Sequence, residues 1–192
     1  MKKPVLKLSY NAPVTLTFAL LALGALLLNK FTNGWANAHL FSVYRCSLSD
    51  PLAFFRFFGH ILGHSSLEHF TGNIIFILLL GPSVEDRFGS WNTLWAILVT
   101  ALVTGLIYFI FFPSAALLGA SGIVYMMILM ASVGGAKNGV IPITLIVVAI
   151  FYLGGELWNA IFKNNNIAEL AHIAGGVCGM LIGFALTGRR RN

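Results

Sequence analysis

The chain has 192 residues, of which 58% are hydrophobic and only 9% charged, against about 25% charged in an ordinary soluble domain. So apolar a composition would leave a large adhesive patch in water, which excludes a soluble globule and points to an integral membrane protein forming a single domain over 1–192. The net charge of +6 does not indicate a nucleic-acid partner, because Lys2, Lys3 and Lys7 lie at one end and Arg189, Arg190 and Arg191 at the other; basic residues so placed hold flanking segments on the cytoplasmic side.

The first apolar run, APVTLTFALLALGALLLN, follows a Lys-Lys pair and precedes a small-residue triplet at 36–38, as a signal peptide would. It is longer than the ~7–15 residues of a signal core, and Lys30 interrupts it before the triplet, so a retained first span over 12–29 is expected. Residues 30–66 then form a long external segment. Within it PLAFFRFFGHILGH reads as an amphipathic interfacial stretch, with Phe54, Phe55, Phe57 and Phe58 dipping into acyl chains and Arg56 reaching headgroups. Five further apolar windows follow at 67–84, 91–112, 119–135, 140–158 and 167–187, each of bilayer-crossing length. The expectation is an all-α, polytopic bundle of six transmembrane helices with a long external loop between helices 1 and 2. Both termini fall in the cytoplasm, as do the connectors carrying Glu85, Asp86, Arg87 and Lys137. Cys46 and Cys178 fall at different depths, so no disulfide between them is expected.

With that orientation, spans two, four and six all descend from the outside, and the polar residues near their starts share a depth. His69 and Asn73 lie in the first turns of span two, Ser121 opens span four and His172 lies a turn into span six; at 1.5 Å per residue all fall within roughly 10 Å of the outer helix ends. Polar side chains inside spans are costly and default to function. Each has a plainer reading alone: Ser121 as a packing residue bonded to its own helix, Asn73 as a tie between helices. Together they have the geometry of a nucleophile and its base, since a serine hydroxyl is weakly nucleophilic until an imidazole accepts its proton.

The neighbouring residues fit that chemistry. Gly119 and Gly122 clear space around the hydroxyl for a carbonyl. Ala171, Gly175, Gly179 and Gly183 form a small-residue ridge on span six that lets another helix approach closely. The Ser121 N–H in the first helical turn, the Asn73 amide and the His69 ring are candidate donors to an oxyanion. Tyr125, one turn below Ser121, is placed to pack against the imidazole. Glu169, three residues before His172, is more simply explained by the helix dipole, so the expected unit is a Ser121–His172 dyad.

At these residues the sequence resembles the rhomboid family of intramembrane serine proteases, in the form without an added N-terminal cytoplasmic domain. GASG matches the family's GxSG, which implies Ser121 as nucleophile; AHIAGGVCG matches AHxxGxxxG, which implies His172 as base, with Gly175 and Gly179 in its ridge. HFTGN matches HxxxN, carrying oxyanion roles to His69 and Asn73, and GPSVEDRFG matches GxxxExxxG, with Gly81, Glu85 and Gly89 as structural residues at the inner end of span two. One departure is Phe55-Arg56 where the family often has Trp-Arg. The resemblance further implies transmembrane protein substrates cut near the outer face after a small residue, no cofactor and no metal, and residence in a bacterial inner membrane. A substrate helix must enter sideways and unwind, because helical carbonyls are already paired. Span five and the 159–166 loop, with the Asn164–Asn166 break, are the expected movable cover, with Trp158 and Phe162 over the site.

Two other functions compete. His60, His64, His69 and His172 are potential metal ligands, but no HExxH motif occurs and His60 and His64 fall in the external segment. A catalytically silent relative that escorts membrane clients would keep the same spans without a reactive serine. An aspartyl intramembrane protease is disfavoured because Asp50 and Asp86 lie outside the spans.

Overall fold

The structure is a computed structural model that describes residues 9–134, 140–162 and 167–189, with side chains throughout except at 159–162, 167 and 189. These residues are helical apart from connecting loops and one isolated antiparallel bridge between Val43 and Leu117. Four helices are long and apolar enough to cross a membrane: α1 (Pro13–Phe31), α4 (Leu67–Phe88), α5 (Ser90–Phe111) and α9 (Ile167–Arg189). Their outward faces carry large apolar side chains that a soluble protein would hide, such as Leu20, Leu79 and Trp91, each more than 60% exposed (62%, 68% and 68%).

Helix α6 (Ser121–Val133) is the centre of the bundle. Nine of its residues are buried, including the continuous run Met126–Met130, and a helix apolar all round belongs in a core rather than against solvent. The sequence led us to expect a spanning helix over 119–135. The observed helix is shorter: its 13 residues give a length of ~20 Å, well under the ~30 Å of a bilayer's hydrocarbon. Its start is delayed because Gly119, at a φ of +128°, donates its N–H to the His60 carbonyl at 2.9 Å, and Leu117 just before it is bridged to Val43 with both N–H···O distances 2.9 Å, so the chain does not enter the helix until Ser121.

The fifth apolar window is also not a uniform helix. It consists of α7 (Ile143–Ala149), a π turn over Ile150–Gly154 and α8 (Gly155–Phe162). The external segment contains α2 (Trp35–His39), α3 (Leu52–Gly59) and a 3-10 turn, His60–Leu62.

The structure corrects the reading of Arg56. Phe54, Phe55 and Phe58 are exposed as expected for an interfacial stretch, but Arg56 is 3% exposed and turns inward, and Phe57 is buried with it. Arg56 Nη1 lies 2.7 Å from Asp50 Oδ2, its Nε donates to the His39 carbonyl at 2.7 Å, and its guanidinium stacks 4.8 Å from the Tyr44 ring centroid. A buried guanidinium is stable only when its donors are met, and here the loop's own carboxylate and carbonyl meet them, so Arg56 pins the loop from inside instead of reaching headgroups. The same pairing holds the Asp50 carboxyl below the usual carboxylate range, and the loop hydrogen bond from Leu52 acts in the same direction.

Two contacts fix the inner end of the bundle. Helix α1 lacks a side-chain cap of its own, and Glu85 of α4 supplies one: its carboxylate accepts from the Val14 and Thr15 N–H groups at 3.0 Å and from Thr15 Oγ1 at 2.9 Å. Gly81, one turn earlier, makes room for this, since a methyl in place of its hydrogen would lie 2.5 Å from Thr15 Cγ2 and Oγ1. Gly89 then ends α4 at a φ of +87°, so Gly81, Glu85 and Gly89 each have a structural task here.

Candidate active site

The site is built where α4, α6 and α9 begin. Ser66 caps α4 by accepting from the His69 N–H at 3.1 Å, and the 3.6-residue repeat puts His69 and Asn73 on one face. His69 Nδ1 lies 3.2 Å from Ser65 Oγ, and its ring meets His64 edge-on with centroids 5.1 Å apart. Asn73 is 8% exposed, and its Nδ2 is buried without a hydrogen-bond partner. Buried amide donors are rarely left unpaired, and this one lies beside the start of α6.

The segment before α6 is held against α4 and the external loop. Gly119 N–H donates to the His60 carbonyl at 2.9 Å. Its φ of +128° is a conformation that L side chains rarely adopt, and any methyl there would lie 2.8 Å from His69 Cε1 and Nε2 and 3.9 Å from Asn73 Nδ2. Gly119 is therefore required on two counts, and it brings His69 and Asn73 within a few ångströms of the residues leading into Ser121. Ser121 is the first residue of α6, so its N–H has no intrahelical partner.

Helices α6 and α9 make the most extensive helix pair in the bundle, and glycines are the reason. A methyl on Gly175 would overlap the Gly122 carbonyl, one on Gly179 would overlap the Met126 carbonyl, and one on Gly183 would sit 3.1 Å from Val133 Cβ. On the other side, a methyl on Gly122 would meet the Ala171 carbonyl at 3.4 Å. The two backbones thus touch turn by turn, and residues 121 and 172 flank the uppermost of these contacts. His172 lies parallel to the Tyr125 ring, with centroids 4.5 Å apart and an interplanar angle of 4°. Ser121 Oγ makes no hydrogen bond among the described residues; catalytic hydrogen bonds are often long in a free enzyme and tighten only with substrate bound.

One member of the cluster was not foreseen. Glu156, in the first turn of α8, receives a hydrogen bond on Oε1 from the Tyr125 hydroxyl, and its Oε2 lies 3.2 Å from His172 Nδ1. That last distance is an ion-pair distance without hydrogen-bond alignment, as Nδ1 is otherwise unpartnered. Glu169, nearer in sequence, leaves its buried Oε2 without a hydrogen bond. A glutamate between two glycines and a Leu-Trp pair carries no motif, and only its position inside an apolar window marked it.

The remaining expected residues fall as follows. Trp158 is 64% exposed on α8; Phe162 ends α8, and its side chain, like Asn164–Asn166, lies outside the described residues. His60 is buried, with Nδ1 3.1 Å from the Arg56 carbonyl and Nε2 3.3 Å from Thr104 Oγ1; His64 Nδ1 lies 3.1 Å from the Leu62 carbonyl. Burial pushes both rings down to about 4, so they are neutral near pH 7. Their contacts are those of structural histidines, and among the described residues no three His, Cys, Asp or Glu side chains converge as a metal would require.

The sequence is similar to known proteins. The chain is 31% identical over 141 residues, 71% of this chain and 49% of the relative, to a protein named Rhomboid protease GlpG from Serratia proteamaculans (strain 568). It is 29% identical to Rhomboid-related protein 1 of Caenorhabditis elegans, covering 68% of this chain and 39% of the relative. It is also 29% identical to Rhomboid-related protein 2 of Mus musculus, covering 68% and 47%. The chain spans half or less of the length of these relatives. A model of the Rhomboid domain matches residues 51–189, a stretch that holds α3 to α9 and every residue of the site. The chain therefore belongs to the rhomboid family of multi-pass membrane proteins.

Proposed function

We propose that this chain is an intramembrane serine endopeptidase that cleaves transmembrane segments of other proteins near the outer face of the membrane. Ser121 Oγ attacks the scissile carbonyl carbon while His172 Nε2 takes its proton; the carbonyl π pair moves to oxygen, and the resulting oxyanion is met by the Ser121 N–H, the Asn73 amide and the His69 ring. Collapse breaks the C–N bond, His172 returns the proton to the departing amine, and a water reaching the site from outside releases the acyl group by the same steps in reverse. No cofactor enters this scheme. The observation that carries the reading is the backbone contact between α6 and α9, which puts Ser121 and a His172 ring stacked on Tyr125 beside the same touching turns, with the unpaired Asn73 Nδ2 close to Gly119, two residues before Ser121. The printed name of the Serratia relative, a protease, points the same way.

The rest of the reading concerns placement in the bilayer. We read the chain as a single membrane domain of six spans, the short α6 and the composite α7–α8 completing the four long helices, with the basic ends on the cytoplasmic side of a bacterial inner membrane. Because α6 is ~20 Å long in a core of ~30 Å, a helix beginning at Ser121 and ending near the inner face puts the hydroxyl below the outer boundary, reached by water from above. Entry of a substrate helix requires α8 to move aside, with Trp158 forming part of the cover.

Two measurements test this. In detergent, with a generic single-span substrate, Ser121→Ala and His172→Ala should lose cleavage by at least ~100-fold while remaining folded; a folded Ser121→Ala that cuts at the parent rate would end the protease reading. For the gate, a cysteine cross-link tying α8 to α4 should stop turnover of the membrane substrate, with activity restored by reduction, and unimpaired turnover in the cross-linked form would refute it.

A further inference from the structure

Glu156 is a carboxylate on the inward face of an apolar helix, a placement that is costly unless its oxygens find partners and that defaults to a functional reading. The inward face of this span is otherwise formed by Leu145, Val148, Ala149 and Leu153, which pack against the core. Both its oxygens are occupied by the catalytic cluster: Oε1 accepts from the Tyr125 hydroxyl, and Oε2 lies 3.2 Å from His172 Nδ1, with the two side chains 13% and 17% exposed. Tyr125 in turn covers the face of the His172 ring and is itself met edge-on by Tyr152 at 5.7 Å. One imidazole is thus held on its face by Tyr125 and has Glu156 Oε2 beside its otherwise unpartnered Nδ1, one small turn from a hydrogen bond.

We propose that Glu156 is the positioning residue of the hydrolytic unit, fixing His172 as the Nδ1–H tautomer so that Nε2 is free to take the Ser121 proton. The proposal rests on the reading of Ser121 and His172 as nucleophile and base. A carboxylate accepts hydrogen bonds and cannot donate one, so an oxygen beside Nδ1 selects the tautomer with its proton there. When Ser121 Oγ bonds to the substrate carbon, its proton moves to Nε2 and the ring becomes an imidazolium beside the carboxylate. Glu156 takes no proton in the step; it orients the ring and opposes the charge that develops. Because Glu156 rides on α8, the helix assigned to the gate, the unit is complete only when α8 is docked on α6 and α9, so hydrolysis follows closure and not entry.

The test uses the full chain in detergent with a single-span substrate, each variant's rate normalised to the fraction of Ser121 that a fluorophosphonate labels at end point. Glu156→Gln keeps the size of the side chain but offers an amide N–H to Nδ1, which selects the wrong tautomer. It should lower kcat by about 10-fold or more with KM within twofold, and slow fluorophosphonate labelling of Ser121 in parallel. Glu156→Asp, which keeps the charge, should recover part of both rates. A Glu156→Gln protein with the parent kcat, an effect confined to KM, or slowed substrate turnover with an unchanged labelling rate would overturn the proposal and leave Glu156 a contact of the gate alone. Those outcomes leave the nucleophile and base untouched as long as Ser121→Ala and His172→Ala are inactive; a folded, active Ser121→Ala would remove both readings together.

Discussion

Gly119 is the residue on which the geometry of the site turns. It combines a left-handed backbone with contact to the His69 ring, so a single methyl group acts on strain and on the site at once. Backbone strain of this kind costs about 1–3 kcal/mol, and the methyl would push His69, which faces the start of α6. Gly119→Ala should therefore lower the thermal midpoint by several degrees and reduce kcat by roughly 10-fold or more; a variant with parental rate and stability would show that the observed φ and ring contact are not required. Asn73 is the complementary case. Its buried, unpaired Nδ2 forgoes about 1–3 kcal/mol in the resting protein, a cost in keeping with the oxyanion role proposed above, because a donor already desolvated and oriented needs no reorganisation when charge appears. Arg56 shows the opposite economy, with each charge-bearing contact made inside the loop.

At the scale of elements, the external loop and the α6–α9 pair divide the work. The loop between α1 and α4 carries the bridge from Val43 to Leu117 and the His60 carbonyl that receives Gly119 N–H, so it sets where α6 can begin. Its two buried histidines make that support acid-sensitive. Their folded values lie near 4 against 6.5 for a free ring. Above pH 6.5 neither the folded nor the opened loop binds these protons and stability is full. Between 6.5 and about 4 the opened form is protonated first and stability falls, by up to about 3 kcal/mol for the fully buried His60. Hydrogen exchange over 52–66 should accelerate as pH drops from 6.5 toward 4.5, beyond the intrinsic pH effect on exchange, and less so in His60→Gln. Protection that stays level through this window would contradict the assignment. The α6–α9 pair depends instead on the absence of side chains: Gly175 and Gly179 bring backbone against backbone, where no flexible group can yield to an added methyl.

On the scale of the whole molecule, the two ends of the bundle have different tasks. The end where α4, α6 and α9 begin holds the polar residues of the site, and the end where α1 begins is a joint in which Glu85 caps α1 from a position 70 residues away in sequence. Three donors converge on that carboxylate, and hydrogen bonds to a charged group contribute about 1.5–3 kcal/mol. Glu85→Gln, which keeps shape but loses charge, should lower the unfolding free energy by roughly 1–3 kcal/mol and the thermal midpoint accordingly, while kcat per labelled Ser121 stays within about twofold. A large loss of kcat with unchanged stability would mean that the joint reaches the site.

How much of this was legible before the fold was known depends on the range of the interaction. Apolar windows are a local property, and five of the six expected spans start within two residues of an observed helix: 12–29 against Pro13–Phe31, 67–84 against Leu67–Phe88, 91–112 against Ser90–Phe111, 119–135 against Ser121–Val133 and 167–187 against Ile167–Arg189. The stacking of Tyr125 on His172 and the Gly175 and Gly179 contacts could be anticipated as well, because depth follows from counting residues along helices of known direction and small-residue spacing marks a helix face. Hidden from such counting were the truncated start of α6, which depends on a bridge to Val43; the inward turn of Arg56, which depends on Asp50 and His39; and Glu156, which a π turn in its own helix and contacts from two other helices carry to His172. Composition and periodicity by themselves determined that the chain lives in a membrane, where its helices run and which polar residues share a depth, since these follow from the transfer of apolar groups out of water. Tertiary structure alone decided which of those residues touch and at what angle, because close packing of backbones, strained loops and paired buried charges arise only between segments that the chain brings together from afar.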